Sequence, residues 1–104
     1  MPDKVVDASA VACLLFGEPE SERVAALLAE GRLLAPRLLE FELANVCLVK
    51  TRRYPEQAAG LAAAFRLRER LGITYAAVDI DGVLALARET GLTAYDASYL
   101  WVAR

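Results

Sequence analysis

The seven residues KVVDASA, Lys4 to Ala10, decide how this chain begins to fold. Val5 and Val6 are β-branched and apolar, which is typical of a short buried strand. Asp7 follows at once, although burying a carboxylate without a partner is costly. A strand that ends on a carboxylate indicates either a local turn or helix cap, or a side chain that works in a cleft. Ser9, two residues later, is a candidate N-cap for a helix through AVACLLF.

Outward from this segment, short apolar strands alternate with helical stretches. Further strands are predicted at LLA, just before Pro36, and at ITYAAV, residues 73–78. The predicted helices are AVACLLF, EPESERVAALLAEG opened by Pro19, RLLEFELANVCLVKTRR, a segment from Pro55 to Gly72, DIDGVLALARETG, and LTAYDASYLWVAR with Thr93 as a possible N-cap. The order βααβααβαα predicts an α/β fold with a short parallel sheet covered by helices.

Composition limits the class of protein. The chain has 104 residues, of which 57% are hydrophobic and 25% charged, so a single packed domain over residues 1–104 is expected. The longest apolar run is far shorter than a membrane span requires, and no basic segment precedes a long apolar one at the N-terminus. We therefore expect a cytoplasmic protein with no membrane partner. Because short chains bury little surface, a homodimer is expected.

The chain contains no histidine. This excludes histidine-activated nucleophiles and histidine metal ligands, so any metal must bind oxygen atoms, as Mg²⁺ and Mn²⁺ do. The net charge of −2 argues against strong non-specific binding to nucleic acid, but it is compatible with an RNA held by a metal and a few arginines. Cys13 and Cys47 lack metal-site spacing and are interpreted as small core residues.

Three acidic residues are candidates for chemistry, and each also has a structural explanation. Asp7 follows a strand, at the edge where α/β proteins bind ligands, but it can equally cap a helix. Glu42 lies among apolar helical neighbours with Asn45 one turn on, but it can sit at the rim of a helix face. Asp96 stands three residues after Thr93, which is also the spacing of a capping box.

Convergence of these carboxylates would require a cation. Two unit charges about 4 Å apart repel by about 4 kcal/mol at an effective dielectric constant near 20. A divalent metal would cancel that repulsion and would activate a bound water molecule as a nucleophile. Spacing along the chain does not establish that the three residues meet.

Three segments, VVDASAVACLLFGEPESERVAALL, LLEFELANVCLVK and GLTAYDASYLWVAR, resemble in this order the PIN-domain family, specifically the VapC-type toxin ribonucleases. The resemblance implies a PIN-like α/β/α sandwich that cuts RNA with Mg²⁺ or Mn²⁺. By matching motif, Asp7, Glu42 and Asp96 would be the catalytic metal ligands, and Ser9 and Asn45 the supporting polar residues. It also implies a cognate antitoxin, which in this family often inserts an arginine into the acidic pocket, and a homodimer.

The sequence departs from the family pattern after Trp101. Family members normally continue into one more strand, which carries a fourth acid in a TLD-like motif, and that segment is absent here. We therefore expect a C-terminally shortened domain with an uncovered sheet edge and one metal ligand fewer. The alternative function is a catalytically degenerate PIN module that acts in binding or dimerisation.

Acidic residues near strand ends are also typical of two other protein classes. The segment AVDIDGVLA resembles the D-x-D-G loop of haloacid-dehalogenase-type phosphatases, but no lysine follows Gly82, and Asp79 and Asp81 are also explained by a strand end and a helix start. A receiver domain would need an adjacent acidic pair after the first strand, where Asp7 stands alone. Both readings are disfavoured.

Overall fold

The computed structural model describes residues 3–104 and confirms the predicted α/β class. Its strands are β1 (Asp3–Val5), β2 (Arg32–Ala35) and β3 (Thr74–Tyr75). Its α-helices are α1 (Ala8–Leu15), α2 (Ser21–Leu28), α3 (Leu38–Arg53), α4 (Ala58–Arg66), α5 (Ile80–Thr90) and α6 (Ala94–Ala103). Two short 3₁₀ segments, Pro55–Gln57 and Leu67–Leu71, flank α4. Among the described residues, no helix is both long and apolar enough to cross a membrane.

The sheet has β2 at its centre, with β1 and β3 parallel to it on either side. The third strand is shorter than predicted, since only Thr74 and Tyr75 of ITYAAV form it, followed by one more hydrogen bond from Ala76 N to Ala35 O (2.9 Å). Pairing stops there because β2 runs into Pro36, which has no N–H, and the chain then enters α3.

The described core has two parts. The sheet cluster lies between the sheet, α1 and α3, and consists of Val6, Val11, Ala12, Leu33, Ala35, Leu39 and Leu43. The α5–α6 cluster is smaller and consists of Val83, Leu86 and Ala97, with Trp101 packed against it. Helix α5 packs mainly on α6, and α6 in turn contacts β1 and β2. Cys13 is buried and Cys47 half-buried, both as free thiols, as expected.

Two predicted helix starts are wrong. Asp7, not Ser9, is the N-cap of α1: its backbone is extended, and its Oδ1 accepts a hydrogen bond from Ala10 N at 2.9 Å. Helix α2 begins at Ser21 rather than at Pro19, because the chain first makes a turn closed by Ser21 N and Glu18 O (2.9 Å). The predicted cap at Thr93 is present, with its Oγ1 accepting from Asp96 N at 3.0 Å.

The DIDG segment has a packing explanation. Asp79 precedes the first turn of α5, Asp81 lies in that turn, and Gly82 lies beneath the indole ring of Trp101. A Cβ atom at Gly82 would approach the ring carbons Cζ3 and Cη2 to 2.4 Å, so the close approach of α5 and α6 requires glycine there.

Candidate acidic site at the carboxyl end of the sheet

An open cavity of about 1090 Å³ lies where β1 ends, between α3 and α6. Its lining includes all five residues singled out in the sequence and one that was not: Asp7, Ser9, Glu42, Asn45, Asp96 and Tyr99. We call it the acidic cavity. Residues separated by up to 89 positions, from Asp7 to Asp96, therefore share one concave surface.

Three separate elements bring the acids to this cavity. Asp7 lies two residues after the end of β1, Glu42 lies in the second turn of α3, and Asp96 lies in the first turn of α6. Because the strands are parallel, their carboxyl ends share one edge of the sheet, and α3 begins at that edge immediately after β2. Helix α6 reaches the same place because it packs against β1 and β2.

The two carboxylate oxygens of Asp7 have different surroundings. Oδ1 accepts both the Ala10 main-chain N–H (2.9 Å) and the Ser9 hydroxyl (3.0 Å). The side chain is thereby fixed at the start of α1, while Oδ2 makes no hydrogen bond within residues 3–104. The helix-cap and cleft explanations of Asp7 are thus compatible, because the cap uses only one of the oxygens.

Glu42 is half-buried and has one hydrogen-bond donor in this structure. Tyr99 Oη donates to Glu42 Oε1 at 2.5 Å, from α6 across to α3. Burial, this hydrogen bond and the negative charges of Glu42 and Asp7 together raise the pKa of Tyr99 far above its usual range. The phenol therefore keeps its proton and remains a donor.

Asp96 and Asn45 are less constrained. Both are exposed on the lining of the cavity. The main-chain N–H of Asp96 donates to the Thr93 cap, whereas its carboxylate makes no hydrogen bond within the described part of the chain. Asn45 makes no hydrogen bond to the acids there either, so of the two supporting polar residues only Ser9 contacts a carboxylate.

Within residues 3–104, no protein cation compensates the charge of the cavity. Among the described residues, no lysine or arginine lines it, and Asp7, Glu42 and Asp96 form no ion pair. Glu40, on the same helix as Glu42, shows the contrast, because Arg37 binds it at 2.7 Å and Arg68 lies at 3.8 Å. A cluster of carboxylates without such partners attracts cations.

The donor chemistry fits a hard divalent cation. Mg²⁺ and Mn²⁺ take oxygen ligands and readily keep several waters. Asp7 and Glu42 each retain one oxygen outside the hydrogen bonds described above. Within residues 3–104, however, no three acidic or cysteine side chains lie close enough together to hold a metal ion. Water would therefore have to complete the coordination of an ion bound here.

Sequence reasoning missed Tyr99 as part of the site. Its spacing from Asp96, three positions along a helix, places both on one face and was a usable signal. Phe41, which is 75% exposed and also lines the cavity, was missed as well. Nothing in its immediate sequence distinguishes it from a buried helix residue.

A comparison with family models bears on this site. The model of the PIN domain matches residues 4–104, which is nearly the whole chain. A search of the curated proteins returned no significant match. PIN domains are typically metal-dependent nucleases, and both the three-stranded parallel sheet and the acidic cavity at its carboxyl edge agree with that match. The chain therefore belongs to the PIN domain family.

Proposed function

We propose that this chain is a metal-dependent endoribonuclease of the VapC type, the toxin component of a type II toxin–antitoxin system. It hydrolyses RNA phosphodiester bonds with Mg²⁺ or Mn²⁺. The observation that carries the proposal is the meeting of Asp7, Glu42 and Asp96 in one cavity that no described lysine or arginine lines.

In this proposal, Asp7, Glu42 and Asp96 would supply the protein ligands and water would complete the coordination, because no three acids within residues 3–104 lie close enough to hold the ion alone. Ser9 keeps Asp7 in place through its hydroxyl. A divalent metal bound by these residues would supply an activated water molecule and would neutralise charge on the phosphate. Hydrolysis forms a bond from water oxygen to phosphorus and breaks one phosphorus–oxygen ester bond, and the leaving alcohol gains a proton. The open shape of the cavity leaves room for an extended strand of RNA.

Cleavage of a mixed RNA substrate by the purified chain tests this function. We expect cleavage in the presence of Mn²⁺, none with EDTA, and loss of cleavage in Asp7→Asn and Asp96→Asn, because each amide keeps the shape but removes a charged ligand. Circular dichroism would verify that the variants are folded.

Asp81→Asn is the matched control. Asp81 is an exposed aspartate in the first turn of α5, just as Asp96 is in the first turn of α6, but it does not line the acidic cavity. Full activity in Asp7→Asn, or equal losses in Asp81→Asn and Asp96→Asn, would contradict the assignment.

Metal binding can be measured without any substrate. A ligand that binds only the folded state stabilises it by about 2.7 kcal/mol at one hundred times its dissociation constant. We expect Mn²⁺ to raise the midpoint of thermal unfolding of the parent, and Asp7→Asn to reduce that rise. No rise at millimolar Mn²⁺ would argue for a site that does not bind metal.

The proposed partners are an RNA substrate, a cognate antitoxin and a second copy of the chain, all in the cytoplasm. The acidic cavity has the charge to accept an antitoxin arginine. Exposed apolar side chains, among them Phe41, Ile80 and Tyr95, provide surface for a protein partner. Light scattering across a range of concentrations tests the homodimer.

The second candidate function is a catalytically degenerate PIN module that binds or dimerises. It is favoured by the absence, within the described residues, of three acids close enough to hold a metal. The two functions differ in one outcome of the cleavage assay: metal-dependent cleavage that Asp7→Asn abolishes excludes the degenerate module.

A further inference from the structure

Tyr99 hydrogen-bonds to one of the proposed ligands, Glu42, from the helix that carries another, Asp96. It lies on α6 three residues after Asp96, and its hydroxyl donates to Glu42 Oε1 on α3 at 2.5 Å. An ionised carboxylate can only accept, so the phenol must be the donor. The bond therefore connects α3, the helix of Glu42, with α6, the helix of Asp96, at the lining of the acidic cavity.

The hydrogen bond restricts the side chain of Glu42, which is the most flexible of the three proposed ligands. Glutamate has one more rotatable bond than aspartate, and Asp7 is already held by Ser9 and Ala10. Tyr99 is the only donor to the Glu42 carboxylate seen within residues 3–104. The hydrogen bond to Oε1 restricts the rotamers of Glu42. Less side-chain entropy is then lost when Oε2 binds a cation.

We propose that Tyr99 is a positioning residue, which orients Glu42 toward a divalent cation and sets the separation of α3 and α6 across the cavity. This inference rests on the proposed metal-dependent function and goes beyond it, because it assigns a metal-binding role to a residue that is not itself a ligand. Partners that orient metal-ligating carboxylates typically affect metal affinity by about 10- to 100-fold.

The test is a Mn²⁺ titration without RNA, with the unbound ion measured by electron paramagnetic resonance. Tyr99→Phe keeps the ring but removes the hydroxyl, and we expect it to weaken Mn²⁺ binding at least about 10-fold. Tyr54→Phe is the matched control, since Tyr54 is 40% exposed and does not line the acidic cavity. It should leave the affinity unchanged.

A double-mutant cycle separates positioning from general weakening of the fold. In the Glu42→Gln background the carboxylate is gone, so adding Tyr99→Phe should cause no further loss of Mn²⁺ affinity. The unfolding midpoint of each metal-free variant is measured first, and sucrose in the buffer keeps a weakened variant folded during the titration.

The outcomes distinguish this inference from the function it rests on. A parent chain that binds no Mn²⁺ overturns both. A parent that binds Mn²⁺, with Glu42→Gln impaired and Tyr99→Phe unchanged, overturns only the role of Tyr99. Equal losses from Tyr99→Phe in the parent and in the Glu42→Gln background also overturn it, because the phenol would then act independently of Glu42.

Discussion

The two parts of the core differ in size and in what they support. The sheet cluster holds the fully buried Val11, Leu39 and Leu43 and fixes the elements that carry Asp7 and Glu42. The α5–α6 cluster is smaller and fixes the helix that carries Asp96 and Tyr99. The acidic cavity therefore lies across a boundary between a large packed unit and a small one.

This difference indicates how the site is assembled. Units with little buried apolar surface open more easily than the main core. Helix α5 packs chiefly on α6, so the position of Asp96 depends on the contacts of α6 with the sheet and on the Tyr99–Glu42 hydrogen bond. Two of the acids are set by the main core and one by its smaller neighbour, so disturbances of the two clusters should affect the protein differently.

The largest effect is expected in the sheet cluster. Leu43 is fully buried on α3, next to Glu42, and Leu43→Ala should lower the free energy of unfolding by about 2–5 kcal/mol through lost burial and a new cavity. Leu48→Ala is the control on the same helix, because Leu48 is 43% exposed and should cost much less. Urea denaturation measures both. Similar losses in the two variants would mean that the sheet cluster does not dominate stability.

A smaller effect is expected in the α5–α6 cluster, at the close approach of Gly82 to Trp101. Gly82→Ala would place a methyl group 2.4 Å from the indole ring and force the ring or the helices to move. Overpacking of this kind costs about 1–3 kcal/mol. We expect the disturbance to centre on α5 and α6, with faster amide hydrogen exchange there than in α3.

Gly60→Ala is the matched control for this change. Gly60 also lies in a helix, α4, but a Cβ atom there would meet nothing within 4 Å. The alanine should therefore stabilise the protein by up to about 1 kcal/mol, through its higher helix propensity. The difference between the two variants isolates the contact with Trp101, and equal stabilisation by both would show that the contact is loose.

The sequence was sufficient for the fold class because each element has a clear local signal. The apolar strand residues around Val5 and the helix cap at Thr93 depend on near neighbours in the chain. The cap lies where it was predicted, and β1 (Asp3–Val5) ends one residue before the predicted Val6. The helix start at Asp7 was misplaced by two residues because Asp7 and Ser9 are both good caps, and only the backbone geometry decides between them.

The site was less accessible to sequence reasoning, because it depends on contacts between distant segments. The spacing along the chain could not establish that Glu42 faces the same cavity as Asp7, and it was the family resemblance that selected these residues. The hydrogen bond from Tyr99 to Glu42 joins residues 57 positions apart, which no local pattern encodes. The need for glycine at position 82, in the DIDG motif, likewise becomes clear only from its contact with Trp101 in the folded structure.

The smallest of these effects concerns the first turn of α6, where the smaller unit meets the acidic cavity. Thr93→Ala removes the hydroxyl that accepts the Asp96 N–H at 3.0 Å, and the loss of such a cap typically costs about 1 kcal/mol. Thr93→Ser keeps a hydroxyl in place and should retain most of that stability. Because the frayed turn is the one that carries Asp96, we also expect weaker Mn²⁺ binding in Thr93→Ala than in Thr93→Ser. If the two variants bind Mn²⁺ equally while differing in stability, the cap supports the helix but not the site, and Asp96 would then depend on the packing of α6 alone.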